Sequence, residues 1–201
     1  MLWLADAPLV LASRSEVRRK ILNAAAIPIE VAPADIDERA LQARAASDDP
    51  GAVAALLARE KAAAMARQRP GQLVLGADQT LAFGARLLNK PPNLGAARDQ
   101  LRALRGQTHE LHAAIALVRD GIVSFEHRDV ARLTMREFSD AFLDAYIDTA
   151  GDAVTASVGA YQLEASGIHL FERVEGDYFT ILGLPLLPLL AHLRQQGHLA
   201  S

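Results

Sequence analysis

A change of hydrophobic period constrains this chain more than any other feature. Leu9-Val10-Leu11-Ala12 and Leu73-Val74-Leu75-Gly76-Ala77 are continuous apolar runs, as expected of short strands buried on both faces. Helical spacing prevails between them and after them. Beyond Gly106 the period drops to two: Leu111, Ala113, Ile115 and Leu117 alternate, Arg119-Asp120-Gly121 supplies a turn, and Val123 and Phe125 open a return strand. Asp-Gly accepts the positive φ that a tight hairpin needs. Buried strands interleaved with helices and then a hairpin predict an α/β fold with a mixed sheet, a central hairpin and flanking helices, not a purely doubly wound one.

The remaining elements follow from caps and breakers. Ser13 to Ser15 leads into a helix over 17–25, Ile29 to Ala32 forms a second short strand closed by Pro33, and Asp35-Ile36-Asp37-Glu38 reads as an acidic loop. Asp48 or Asp49 caps a helix with Pro50 in its first turn and Val53, Leu56, Leu57 and Ala64 at helical spacing, ended by Pro70-Gly71. Asn93 caps the next, with Leu94, Ala97, Leu101 and Leu104 on one face and Gly106 as its stop. Ser139 caps a helix to 149, Ile168 to Val174 reads as a strand, and a last helix covers 185–196.

At 201 residues, 51% hydrophobic and 22% charged, the chain is long enough for one substantial core and too short for three domains, so residues 1–201 are read as one domain. A formal charge of −3 argues against polymeric nucleic acid as a partner, but local Arg and Lys can still hold a small anion. The absence of cysteine removes thiol nucleophiles, disulfides and Cys-zinc sites, and suits a cytoplasmic location. Met1 to Ala12 lacks the basic start of an export signal, and Ile181 to Leu193, broken by Pro185 and Pro188, falls short of the about 20 residues a membrane span needs, so no membrane association is expected.

Four places carry chemistry. The turn Ser13-Arg14-Ser15-Glu16-Val17-Arg18-Arg19 sets hydroxyls and guanidinium groups where a strand yields to a helix, a combination suited to phosphate and equally to a capped, solvated helix start. It is not a Walker loop, since the Gly-Lys-Ser/Thr element is missing. Asp78, read as closing the strand that ends at Ala77, could hold Mg²⁺, orient a water, or simply start a turn. Asp35, Asp37 and Glu38 could share that metal or form a solvated loop. Lys61 lies four residues after Leu57 at the edge of a buried helix face, and Lys90 sits in the rigid Asn89-Lys90-Pro91-Pro92 turn; each could neutralise a polyphosphate or snorkel at the surface. His109 and His112 are no zinc pair, because strand residues three apart point to opposite faces. No Gly-x-Ser-x-Gly nucleophile elbow occurs.

Taken together these segments resemble the Maf family of nucleoside triphosphate pyrophosphatases over almost the whole chain. The resemblance rests on Leu11-Ala12-Ser13-Arg14-Ser15 with Arg18-Arg19, Pro33-Ala34-Asp35-Ile36-Asp37-Glu38, Glu60-Lys61-Ala62, Gly76-Ala77-Asp78-Gln79 and Asn89-Lys90-Pro91. Gly159-Ala160-Tyr161, Gly176-Asp177-Tyr178 and Gly183-Leu184-Pro185-Leu186 complete it. It implies hydrolysis of a nucleotide between its α and β phosphates with a divalent cation, Mg²⁺ or Mn²⁺, in a Maf/ITPase-like fold with a cleft between two lobes, and a homodimer. By the resemblance Asp78 is catalytic, Ser13, Arg18, Lys61 and Lys90 bind phosphate, and Glu38 joins Asp78 at the metal. The closest branch acts on 7-methyl-GTP.

This chain departs from the family pattern in Glu16, where Pro is usual, and Asn89, where Gly is usual; Glu16 is expected to point outward. Val17, Gln79 and Glu164 match the family's base-specificity positions. Gln79 and Glu164 resemble the 7-methyl-GTP branch, and a carboxylate can accept from both the N1–H and N2–H₂ donors of guanine. Val17 lacks the aromatic face that would stack on a cationic base. The expectation is therefore a guanine-type, modified or non-canonical nucleotide cleared in a house-cleaning role. The alternatives are a dTTP/UTP pyrophosphatase, or a nucleotide-binding regulator of septum formation or cell division with little turnover.

Overall fold

The computed structural model describes residues 2–45, 47 and 49–201. In chain order the strands are β1 (Leu9–Leu11), β2 (Ile29–Val31), β3 (Val74–Phe83), β4 (Arg86–Leu88), β5 (Thr108–Arg119), β6 (Ile122–Met135) and β7 (Phe171–Glu175). The helices are α1 (Glu16–Ala24), α2 (Glu38–Ala45), α3 (Pro50–Ala66), α4 (Leu94–Leu104), α5 (Asp140–Ala150), α6 (Ala153–Ala156), α7 (Tyr178–Ile181) and α8 (Leu186–Gln195). One sheet runs β2-β1-β3-β5-β6-β7, with short β4 paired to β3. β1 lies parallel to β2 and β3, whereas β3-β4, β3-β5, β5-β6 and β6-β7 are antiparallel, so the sheet is mixed as the hairpin required. Asp120 and Gly121 turn that hairpin with φ of 49° and 79°.

Local chemistry sets the helix starts. Ser15, Asp49, Asn93 and Ser139 cap α1, α3, α4 and α5, each side chain accepting a backbone N–H of the first turn. Asp48, the other candidate cap, lies outside the described residues.

The sheet's faces decide where side chains meet. Leu9 and Leu11 of β1 bury against α1 and α8 with Leu75, Ala77, Leu117, Leu189 and Leu193, while Val10 turns to the opposite face. That opposite face is covered by α3, which lays Ala54, Ala58, Ala62 and Ala66 against Val74, Ala114 and Ala116. Four alanines one turn apart let the helix sit close. Gly76 lets it sit closer still, because a Cβ there would come within 2.0 Å of the Ala58 carbonyl oxygen. A third core, built on Leu81, Leu101, Leu104, Leu111, Leu133, Leu143 and Tyr161, packs α4 and α5 against the far half of the sheet.

Several boundaries differ from the sequence expectation. β3 continues past Ala77 to Phe83, since its pairing with β5 extends from Val74 to Ala82. Asp78 is therefore a mid-strand residue, not the residue after a strand. Glu38 begins α2 instead of ending a loop, and the Asp37 carboxylate accepts from Ala40 N at 2.9 Å. Ser166–Leu170 is a 3₁₀ turn, and β7 starts only at Phe171. On α3, Leu56 and Ala64 are half-buried; the buried stripe is Val53, Ala54, Leu57, Ala58, Ala62, Met65 and Ala66. Among the described residues no helix is long and apolar enough to cross a membrane.

Candidate active site

Strand alternation on β3 points Asp78 toward α3, on the same face as Gly76, and Gln79 toward the other. The close approach at Gly76 brings Lys61 onto Asp78, with Nζ 2.5 Å from Oδ1. The same ammonium bonds the Glu38 carboxylate at 2.8 Å. Asp78 is only 7% exposed, and that burial pushes its carboxyl pKa up, while the charges of Lys61 and Arg18 and the Lys61 hydrogen bond pull it back and Glu38 adds to the rise. Burial and the ammonium therefore act in opposite directions on the basicity of this carboxylate.

Arg18, at 9% exposure, is held from three directions. Its Nε donates to Gly183 O at 2.8 Å, and its Nη1 to Ala77 O at 2.8 Å and Ser13 Oγ at 3.1 Å. Burial lowers its pKa, opposed by the charges of Asp78 and Glu38. Ser13 Oγ also accepts from Ser15 N at 3.2 Å, so its own proton is left to donate. On the opposite face Gln79 Nε2 donates to Thr180 O and Ile181 O at 3.0 and 2.9 Å, which leaves its amide oxygen as the free acceptor. The α7 segment is therefore a platform for two expected site residues. It is fixed from behind, where the Thr180 hydroxyl donates to Asp129 at 2.7 Å and Asp177 caps the helix at Thr180 N. Asp129 and Thr180 were not singled out in the sequence, although Gly176-Asp177-Tyr178 marks the platform's start.

Ser13, Arg18, Glu38, Lys61, Asp78 and Gln79 line one cavity of about 730 Å³, a volume suited to a nucleotide-sized ligand. Its lining includes Ser13, Val17, Arg18, Glu38, Lys61, Asp78, Gln79, Lys90 and Glu164, the nine residues the resemblance assigns to the site, and Asp35; Asp37, the other carboxylate considered for the metal, is not in the lining. Lys90 and Glu164 are exposed on the rim, and Glu16 turns out to pair with Arg19 at 2.5 Å. Tyr161, also in the lining, is the sole aromatic residue there among the described residues and is buried, its hydroxyl bonded to His109 Nε2 at 2.7 Å. Burial lowers the His109 pKa to about 4 and pushes that of Tyr161 up, so both are neutral at pH 7. The chain reaches Tyr161 through Gly159 and Ala160 at φ of 78° and 62°, and the Tyr146 hydroxyl donates to the Ala160 carbonyl at 3.1 Å. His109 sits in this core while His112 bonds Glu110 and faces α3, so the two do not converge.

Charge in the lining is balanced. Arg14, Arg18, Arg39, Lys61 and Lys90 are matched by Glu16, Asp35, Glu38, Asp78 and Glu164. A polyanion entering this cavity therefore brings an excess of negative charge that a further cation would offset. Among the described residues no three His, Asp, Glu or Cys side chains cluster as a metal cage. Asp78 and Glu38, already sharing one cation in Lys61, offer the one or two carboxylates by which Mg²⁺ is held when substrate phosphates supply other ligands. The residues fit such an ion.

Fold and cavity define a class: an α/β protein with an open mixed sheet and a charged, nucleotide-sized cleft. Residues 8–196 match the family described as Maf-like protein, and the chain belongs to that family. It is 56% identical over 199 residues to a nucleoside triphosphate pyrophosphatase of Rhodopseudomonas palustris (strain HaA2), covering 99% of this chain and 98% of that one. It is 48% identical over 191 residues to a 7-methyl-GTP pyrophosphatase of Rhizobium etli, covering 94% and 96%. A HAM1 protein of Coxiella burnetii superposes with a TM-score of 0.43 and 18% identity over 64% of this chain and 72% of its own.

Proposed function

We propose that this protein is a nucleoside triphosphate pyrophosphatase acting on guanine-type nucleotides, modified ones included. The single observation that carries the reading is the pairing of buried Asp78 with Lys61 inside a cavity whose rim also holds Glu164 and Lys90. Full-length identity to pyrophosphatases supports the reaction, and the 7-methyl-GTP relative supports the base.

The reaction adds water across the α–β phosphoanhydride and gives a nucleoside monophosphate and pyrophosphate. Asp78 accepts the water proton as the new P–O bond forms, and pyrophosphate leaves with the bridging oxygen. Burial raises the basicity of Asp78, and the Lys61 ammonium favours its ionised form. Asp78 and Glu38 would hold Mg²⁺ or Mn²⁺, which when bound withdraws charge from phosphate oxygens. Ser13 donates its free proton to a phosphate oxygen, and Lys90 closes on the chain from the rim. Glu164 accepts from the two donors of the guanine edge, and Gln79 offers its amide oxygen.

Pyrophosphate release from a panel of GTP, 7-methyl-GTP, dTTP and UTP with Mg²⁺ or Mn²⁺ tests this. Guanine nucleotides are expected to rank first. Release from dTTP or UTP in preference overturns the base assignment, and binding without release from any triphosphate leaves the regulator in place of the enzyme.

A further inference from the structure

The cations that line the cavity are not equally available to a ligand. Lys61 is shared by two carboxylates, and Arg18 is buried with its Nε and Nη1 on protein oxygens. Arg14 and Arg39 are different: both line the cavity, both are exposed, and neither has an ion-pair or hydrogen-bond partner among the described residues. They come from two different elements of the lining. Arg14 stands in the β1-α1 turn between Ser13 and Ser15, and Arg39 follows Glu38 in the first turn of α2. An arginine next to each of two residues that face the phosphate chain, with five donors and no internal acceptor, is suited to grip an oxyanion as it arrives.

We infer that Arg14 and Arg39 act together as a clamp on the pyrophosphate end of the substrate, and that Arg18 chiefly holds the β1-α1 turn, β3 and Gly183 together. The inference rests on the pyrophosphatase reading for the identity of the ligand. The clamp separates from that reading because it binds the polyphosphate end without needing the base or turnover. Arg19, paired with Glu16 and outside the lining, belongs to neither group.

The test compares Arg14→Gln, Arg39→Gln and their double variant with Arg19→Gln. Calorimetry measures binding of inorganic tripolyphosphate with Mg²⁺, and steady-state kinetics measures KM for the best nucleotide of the panel and inhibition by nucleoside monophosphate. Each single variant is expected to weaken tripolyphosphate binding and raise KM about tenfold, with monophosphate inhibition and Arg19→Gln unchanged, and lysine at either position recovering part of the loss. Unchanged tripolyphosphate binding in the double variant overturns the clamp, as does an equal weakening of monophosphate. A wild-type protein that hydrolyses nothing sinks the enzyme reading alone, since the tripolyphosphate measurement still decides the clamp.

Discussion

The floor and the rim of the cavity are built on opposite principles. On the floor, Asp78, Lys61, Arg18 and Gln79 are fastened to one another or to backbone carbonyls before any ligand is present. On the rim, Arg14, Arg39, Lys90 and Glu164 are exposed, without ion-pair partners among the described residues. The floor lies where β3, α3 and α7 pack, so its geometry is set by the core and costs no reorganisation during reaction. The rim lies on loops and first turns, where side chains can adjust to what enters. On the proposed function, the contrast teaches a division of labour: chemistry on the fastened side, selection on the exposed side.

That division can be broken, and the largest effect is expected at its centre. Asp78→Asn should lower kcat about 10³-fold while KM stays within tenfold, read by steady-state kinetics. Near-normal turnover would remove Asp78 from the reaction. Gly76→Ala touches no ligand, yet its Cβ must push α3 outward and carry Lys61 from Asp78. A fall of about 10² in kcat with a lowered melting temperature is expected, and unchanged kcat would mean the close approach is dispensable.

Behind the rim, the His109 ring is neutral in the fold, with its pKa lowered to about 4 from 6.5. The unfolded chain takes up that proton first as pH falls, so stability is full above pH 6.5 and is lost progressively down to about 4. The loss attributable to this ring is at most about 3 kcal/mol. His109→Gln keeps a partner for Tyr161 and should flatten the pH dependence of denaturant unfolding over that window. An equally steep loss in the variant would assign it elsewhere. The smallest effect belongs to the rim proper: Glu164→Gln should reduce the preference for guanine over uracil nucleotides about tenfold in kcat/KM, with melting temperature unchanged. An unaltered ranking would take Glu164 out of base reading.

Much of this architecture is legible in the sequence. The caps Ser15, Asp49, Asn93 and Ser139, the Asp120-Gly121 turn and the mixed sheet follow from interactions within a few residues, so local sequence suffices to foresee them. The candidate residues were visible too, but as types: spacing alone read Lys61 and Lys90 equally well as surface lysines. The end of β3 was missed because Asp78 looks like a strand terminator, and only pairing with β5 carries the strand through it.

The residue pattern of this chain determines its helices, its turns and which side chains are available for chemistry, because caps, breakers and hydrophobic period act over short range. Tertiary structure alone decided which of those groups meet. Lys61 and Asp78 are 17 residues apart, Arg18 and Ala77 are 59 apart, and Arg18 and Gly183 are 165 apart. Such pairs form only when α3 closes on Gly76 and α7 returns to the sheet, a matter of packing between distant segments that no local window contains.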